Sequence, residues 1–464
     1  MAKKKSSRKS FKKRLLLSIF IFALSITLII FTVHISYKKI VSVVETNCIY
    51  ENIFVNGIDV GGLNQNDAFN KINTAIQKPI DKKIITFKDD NGSQYQFTFK
   101  DFNAAYNIKD AVQKAYDYAR SGKLLKRYEQ VVKLRKNPVK ITAAYGFSDE
   151  FVKSKLGELE SKVYVKPINA TVYRQNNKFV TVAGKSGRKL NLEQTFARLK
   201  TLLANKQEGS VDLVFDEVKP FYNESDFDNV KDVLGSYTTN FNGSNSGRNT
   251  NIINAARKIN NCVVYPAEVF STNNALKPFT EKNGYQSAAV IVDGKIVDDL
   301  GGGICQVSTA LYNAVLYSEL KVVQRQNHSL KVGYADYGYD ATLAGDYIDF
   351  QFKNSTKSPI LIESIVSGTN LTVKIYGAEN RDPNRKIKFE NALVSVIEPP
   401  ADTITYTNEL PDGEKKVIAK AKKGYKYKLY KLVYKDGKQI EKVQVNSSYY
   451  KPVRGSMQIG TKKN

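Results

Sequence analysis

Tryptophan is absent from the 464-residue chain, methionine and histidine occur twice each, and cysteine occurs three times. Three cysteines in so long a chain exclude a scaffold built on disulfides; one bridge, Cys262 to Cys305, remains an option in an oxidising compartment. Zinc is excluded on similar grounds. His34 lies in an apolar run, which leaves His328 as the single imidazole beyond it, and one imidazole without paired thiols gives too few soft ligands. No metal and no other cofactor is expected. Acidic residues are also scarce, 45 against 71 Lys and Arg, for a formal net charge of +26.

What is present begins with a long uncharged run, Leu15 to Ile35, preceded by Lys3, Lys4, Lys5, Arg8, Lys9, Lys12, Lys13 and Arg14. Twenty-one helical residues at 1.5 Å each cover roughly 31 Å, the thickness of a bilayer core. The positive charges before the run outnumber Lys38 and Lys39 behind it, which predicts a cytoplasmic tail over 1–14, a transmembrane helix over 15–36 and an extracellular remainder. A cleavable signal peptide is the competing reading, disfavoured by the length of the run and the lack of a small-x-small site. Beyond residue 39 a net +16 remains. A body of that sign collects on polyanions, and outside a cell these are anionic wall polymers and lipid headgroups rather than nucleic acid. Lysines kept only for solubility would look the same.

Apolar residues make up 42% of the chain, with 28 Tyr and 23 Phe, enough for several cores. The fold class expected is α+β and multi-domain, ending in a small, elongated, antiparallel all-β domain. Asn64 reads as a helix cap, and Asn91-Gly92, Asp293-Gly294 and Asp436-Gly437 as two-residue hairpin turns between alternating strands. The stretch Ser236 to Thr250, rich in Asn, Gly, Ser and Thr, reads as a loop that leads into a helix over Asn251 to Ile259.

The segment GGGICQVSTALYNAVLY, Gly301 to Tyr317, carries the most chemistry. Three glycines release a strand into a helix, and Cys305 falls in the helix's first turn, where unpaired N–H groups and the helix dipole favour a thiolate. Val307, Leu311, Ala314 and Val315 mark a buried face, whereas Gln306, Ser308, Thr309 and Asn313 point elsewhere. If Cys305 is a nucleophile, His328 is its base or ion-pair partner, and Asp340, Asp346 or Asp349 orients the ring. Gln306 and the loop's N–H groups would then serve an oxyanion. Gly301, Gly302, Gly303, Ser308 and Thr309 are the candidate ligand-binding positions. The competing reading makes the glycines a tight turn and Cys305 a small buried hydrophobe. A phosphate-cradling loop is disfavoured, because no Lys follows the glycines at the required spacing.

VYPAEVFSTNNAL, GGGICQVSTALYNAVL, Asn327-His328-Ser329 and YDATLAGDYIDFQFKNST together resemble the VanW-like family, over residues 236–378. The region 50–222, entered by VNGIDVGGLNQNDAFNKI, is similar to the peptidoglycan-binding module that often precedes such domains, and 388–463 resembles a divergent G-five domain. The resemblances imply a Gram-positive-type envelope protein, held in the plasma membrane by one helix and associated with peptidoglycan or wall polymers. They imply an accessory role in envelope assembly or glycopeptide resistance. A Cys-His acyl or peptidyl transferase or hydrolase acting on wall peptides, and a non-catalytic scaffold that binds a protein partner, are the alternatives. The family does not fix the activity.

Overall fold

The computed structural model describes residues 3–241, 243–292 and 295–462. They divide into two compact units, the first of residues 1–166 and 187–218, the second of 167–186 and 219–464. The chain thus leaves the first unit for a hairpin, Thr171–Gln175 with Lys178–Val182, and then returns.

The first unit opens with one uninterrupted helix, Lys3–Val44, longer than the apolar run at both ends. From Phe11 to Tyr37 its apolar side chains are exposed, with no protein cover. Two small cores follow. In one, Ile53–Val55 pairs with Ile58–Asp59 and, in parallel, with Val139–Ile141, and helices Gln65–Ile72 and Ile108–Asp117 cover Ile53, Val55 and Val60. Asn64 caps the first of these helices, its side chain accepting from Asp67 N–H at 2.9 Å. In the other core, the sheet Gly209–Asp212, Ile84–Lys88, Gln94–Thr98 packs Phe87 against Phe99, Phe102 and the helices Asp149–Val163 and Leu192–Asn205. The Asn91-Gly92 hairpin forms, but through a five-residue loop in which only Gly92 has positive φ. A two-residue type I′ turn at Asn91-Gly92 would need positive φ at both central residues.

The second unit is built on a four-stranded antiparallel sheet in the order Asp232–Asn240, Asn370–Gly377, Ile360–Ser367, Cys262–Val264. Two helices, Ser246–Ile259 and Ile304–Tyr317, pack on it. Here the structure corrects the sequence reading twice. The Asn- and Ser-rich stretch is a loop only in its middle: its first five residues end the strand Asp232–Asn240 and its last five begin a helix capped by Asn245. The helix Ile304–Tyr317 is not one-sided, since twelve of its fourteen residues are buried, Gln306, Ser308, Thr309 and Asn313 included. Gly235 explains how a strand can cross so close to it, because a Cβ there would lie 2.4 Å from the Ala314 carbonyl oxygen.

A hairpin of Ser287–Val292 and Lys295–Leu300 delivers the chain to this helix; its Asp293-Gly294 turn lies outside the described residues. The C-terminal strands form two three-stranded sheets. Arg385–Ile397, Gly424–Lys435 and Lys438–Tyr450 are antiparallel, joined at Asp436-Gly437 by a two-residue turn with both φ positive. The second sheet is mixed rather than purely antiparallel: Ser456–Lys462 runs parallel to Thr403–Pro411 and antiparallel to Lys415–Ala419.

Candidate active site

The glycine loop is shaped by what passes beside it. Gly303 stands at the helix N-terminus with φ of +108°, and Gly301 has φ of +86°, conformations that L side chains rarely adopt. A Cβ on Gly302 would lie 2.4 Å from the Ala288 carbonyl oxygen, and one on Gly303 would lie 2.8 Å from Cγ of Arg248. Asn251 clamps the loop, its Nδ2 donating to Gly302 O at 2.9 Å and to Gln286 O at 2.8 Å. Cys305 follows as the second helical residue, half-buried and unbridged; Cys262 and Cys48 are also free thiols, so the Cys262 to Cys305 bridge is not formed.

Cys305 Sγ receives the Leu343 N–H at 3.4 Å and lies 3.6 Å from Thr342 Oγ1 and from the Leu343 carbonyl oxygen. Burial pushes the thiol up, but the His328 hydrogen bond and charge, with Leu343 and Thr342, bring it below the ordinary thiol range. His328 is 6% exposed, and its Nδ1 lies 2.7 Å from Asp340 Oδ2. That leaves Nε2 facing the Tyr334 hydroxyl, 3.3 Å away. Burial pushes the imidazole down, yet Asp340 and Cys305 outweigh it and raise the group to about 9. Both shifts favour the thiolate and imidazolium form of the pair over the neutral one.

Asp340 is fully buried and fully occupied. Its Oδ2 also accepts the His328 backbone N–H at 2.7 Å, while Oδ1 accepts the Tyr450 hydroxyl at 2.6 Å and Arg325 Nη2 at 3.3 Å. Burial raises the carboxyl, but His328 first, then Arg325 and Tyr450, pull it below its ordinary value. An acid so held fixes both the tautomer and the direction of the imidazole.

The other candidates separate from this group. Asp346 is exposed and pairs with Lys277. Asp349 is buried but accepts from Ser271 Oγ at 2.6 Å, Asn273 N–H at 2.9 Å and Gln351 Nε2 at 3.0 Å, pinning a neighbouring helix. Gln306 cannot act as an oxyanion donor. Its Nε2 donates to Thr239 Oγ1 at 3.1 Å and Asn240 O at 3.0 Å, and its Oε1 accepts from Arg248 Nη2 at 2.7 Å. Ser308 and Thr309 are wholly buried, and Thr309 exchanges hydrogen bonds with the Ala341 backbone. Gly301 and Gly302 are buried against the hairpin.

Sequence reasoning missed Arg248, Arg325, Tyr334, Thr342 and Tyr450. Arg325 stands three residues before His328 and Thr342 two after Asp340, a proximity that could have drawn notice. Arg248 was hidden in a stretch whose composition reads as a loop. Tyr450 carries no local signal, since it lies 110 residues from the acid it touches.

Comparison with known proteins follows the same division of the chain. The family described as "VanW like protein" matches residues 247–376, "Putative peptidoglycan binding domain" matches 95–212, and "G5 domain" matches 393–462. "Uncharacterized protein YoaR" of Bacillus subtilis (strain 168) is 34% identical over 223 residues, 48% of this chain and 73% of that protein. "Vancomycin B-type resistance protein VanW" of Enterococcus faecalis (strain ATCC 700802 / V583) is 24% identical over 148 residues, 31% of this chain and 53% of that protein. The solved "IgA1 Protease G5 domain structure" aligns with 19% of this chain and all of its own, at 19% identity and a TM-score of 0.13. The three domain matches make this a cell-wall-associated protein, with mixed helix and strand and a C-terminal G5 domain. With 34% of the aligned residues identical over 73% of the Bacillus protein, and the glycine-cysteine helix inside the segment that the VanW family matches, the chain belongs to the VanW-like family.

Proposed function

We propose that this protein is a thiol-dependent acyl transferase or hydrolase acting on the peptides of the cell wall, anchored outside the membrane by its first helix. The observation that carries the reading is the Cys305, His328, Asp340 relay, with a thiol shifted down, an imidazole shifted up to about 9 and a buried acid behind them. In the reaction the Cys305 thiolate adds to a peptide carbonyl carbon, forming a C–S bond. The C–N bond then breaks as His328 Nε2–H protonates the departing amine, leaving a thioester. A second amine, or water, loses its proton to His328 as it displaces the thiolate, giving transfer or hydrolysis.

An exposed apolar helix behind eight basic residues supports a single-pass anchor with the remainder outside. The peptidoglycan-binding match supports delivery to that substrate. The enterococcal relative is named a vancomycin resistance protein, which supports a resistance role for this chain as well. The test is Cys305→Ala, expected to abolish the change in wall peptide cross-linking that the wild type produces, while the variant still sediments with insoluble wall. Unchanged cross-linking in that variant rejects the enzyme and leaves a wall-binding scaffold.

A further inference from the structure

Two residues of the glycine-cysteine motif do not serve the thiol directly but hold Arg248. Gly303 lacks a side chain where Arg248 Cγ crosses it, and buried Gln306, 1% exposed, turns its one acceptor to Arg248 Nη2 at 2.7 Å. The guanidinium lies 5.8 Å from the Tyr334 ring centre, the same tyrosine that touches His328 Nε2. Arg248 is half-buried, and among the described residues Nε and Nη1 have no hydrogen-bond partner. Arg248 packs across Gly303, two residues before Cys305; burial lowers its basicity, and Tyr334 and Cys305 act in the other direction. A guanidinium fixed through Nη2, with unpaired donors left beside the thiol, suits a carboxylate.

We infer that Arg248, held by Gln306 across Gly303, binds a substrate carboxylate beside Cys305, so that the acyl group taken up by the thiol comes from a peptide bond near a free carboxylate. The inference rests on the thiol chemistry proposed above and adds the substrate class. A peptide with a free C-terminal or side-chain carboxylate close to the scissile bond is preferred over its amide.

A pair of alkylating agents of nearly equal size separates the possibilities. Iodoacetate carries a carboxylate and iodoacetamide does not, and with either one the Cys305 thiolate displaces iodide as the C–S bond forms. On the full chain in detergent, with Cys305 labelling followed by mass spectrometry of its peptide, the iodoacetate-to-iodoacetamide rate ratio in the wild type is expected to exceed that of Arg248→Gln. A charge-assisted hydrogen bond of the usual strength makes the difference roughly tenfold or more. Arg248→Lys, which keeps the charge and loses the fork, should fall between. Equal ratios in wild type and Arg248→Gln, with both reagents reacting, overturn the carboxylate site and leave the reactive thiol standing. No labelling of Cys305 by either reagent overturns the thiol chemistry and this inference together.

Discussion

At the scale of single residues, the site depends on charge placed where burial opposes it. Asp340 keeps its charge because both oxygens are occupied, and its charge in turn sustains the imidazolium of His328. Asp340→Asn keeps the shape and removes the charge. His328 should then titrate lower and Cys305 higher, and each unit removes a factor of about ten in reactive thiolate near neutrality. Iodoacetamide labelling of Cys305 at pH 6.5 is expected to slow on the order of tenfold; an unchanged rate would show that Asp340 does not sustain the pair. The same substitution has a stability signature. His328 at about 9 is raised above its ordinary 6.5, so its contribution is complete below about pH 6.5 and is lost as pH rises through about 9. Asp340 is lowered from 3.8, so its contribution holds above that value and is lost as pH falls below it. The gap in melting temperature between wild type and Asp340→Asn should be widest between about pH 4 and 6.5 and should narrow by pH 9.

At the scale of elements, the loop before the Cys305 helix is fixed by close approach. Gly303→Ala places a Cβ against Arg248 at φ of +108°, a backbone cost of about 1–3 kcal/mol. A lower melting temperature with a diminished iodoacetate preference is the expected pair of results; a fall in stability alone would detach the glycine from the arginine. Much here was legible in the sequence. The strand, glycine turn and helix follow from Lys295 to Tyr317, and Cys305, His328 and Asp340 were named as partners because residue type and order suffice to suggest them. Asp346 was named on the same grounds and is exposed, since spacing along the chain does not tell which of two nearby acids faces inward. Ser236 to Thr250 misled for a different reason. Asn, Ser and Thr suit caps and loops by local hydrogen bonding, but here tertiary packing puts them in a strand and a helix start, and Arg248 with them. Likewise Gln306, Thr309 and Asn313 looked like an outward polar face because sequence cannot show buried partners for them.

At the scale of the second unit, the C-terminal module is part of the site. Its strand Lys438–Tyr450 sends Tyr450 to Asp340 Oδ1 and to Gly338 N–H at 2.8 Å, Ser448 to Arg325 Nη1 at 2.8 Å, and Asn446 to the Tyr312 hydroxyl at 2.7 Å. Glu319 fastens the other strands: burial raises its carboxyl, but Arg385 and Lys431 bring it down to about 2. A module that only carried wall affinity would not need its residues buried against the acid of the relay. Tyr450→Phe removes one hydroxyl and leaves the ring, which is buried, in place. Losing a hydrogen bond to a charged group, and stranding Gly338 N–H, should cost about 1.5–3 kcal/mol in stability. It should also weaken the hold on Asp340, slowing Cys305 labelling at neutral pH by several-fold while sedimentation with insoluble wall stays unchanged. The combination is diagnostic, because a tyrosine that merely packs would lower the melting temperature without moving the pH at which the thiol reacts. Ser448→Ala serves as the companion: it frees Arg325 Nη1 but leaves the Tyr450 hydroxyl on Asp340, so it should destabilise with a smaller shift in thiol reactivity. If both variants label at the wild-type rate across pH 6 to 9, the C-terminal module supports the fold alone and the relay is complete without it.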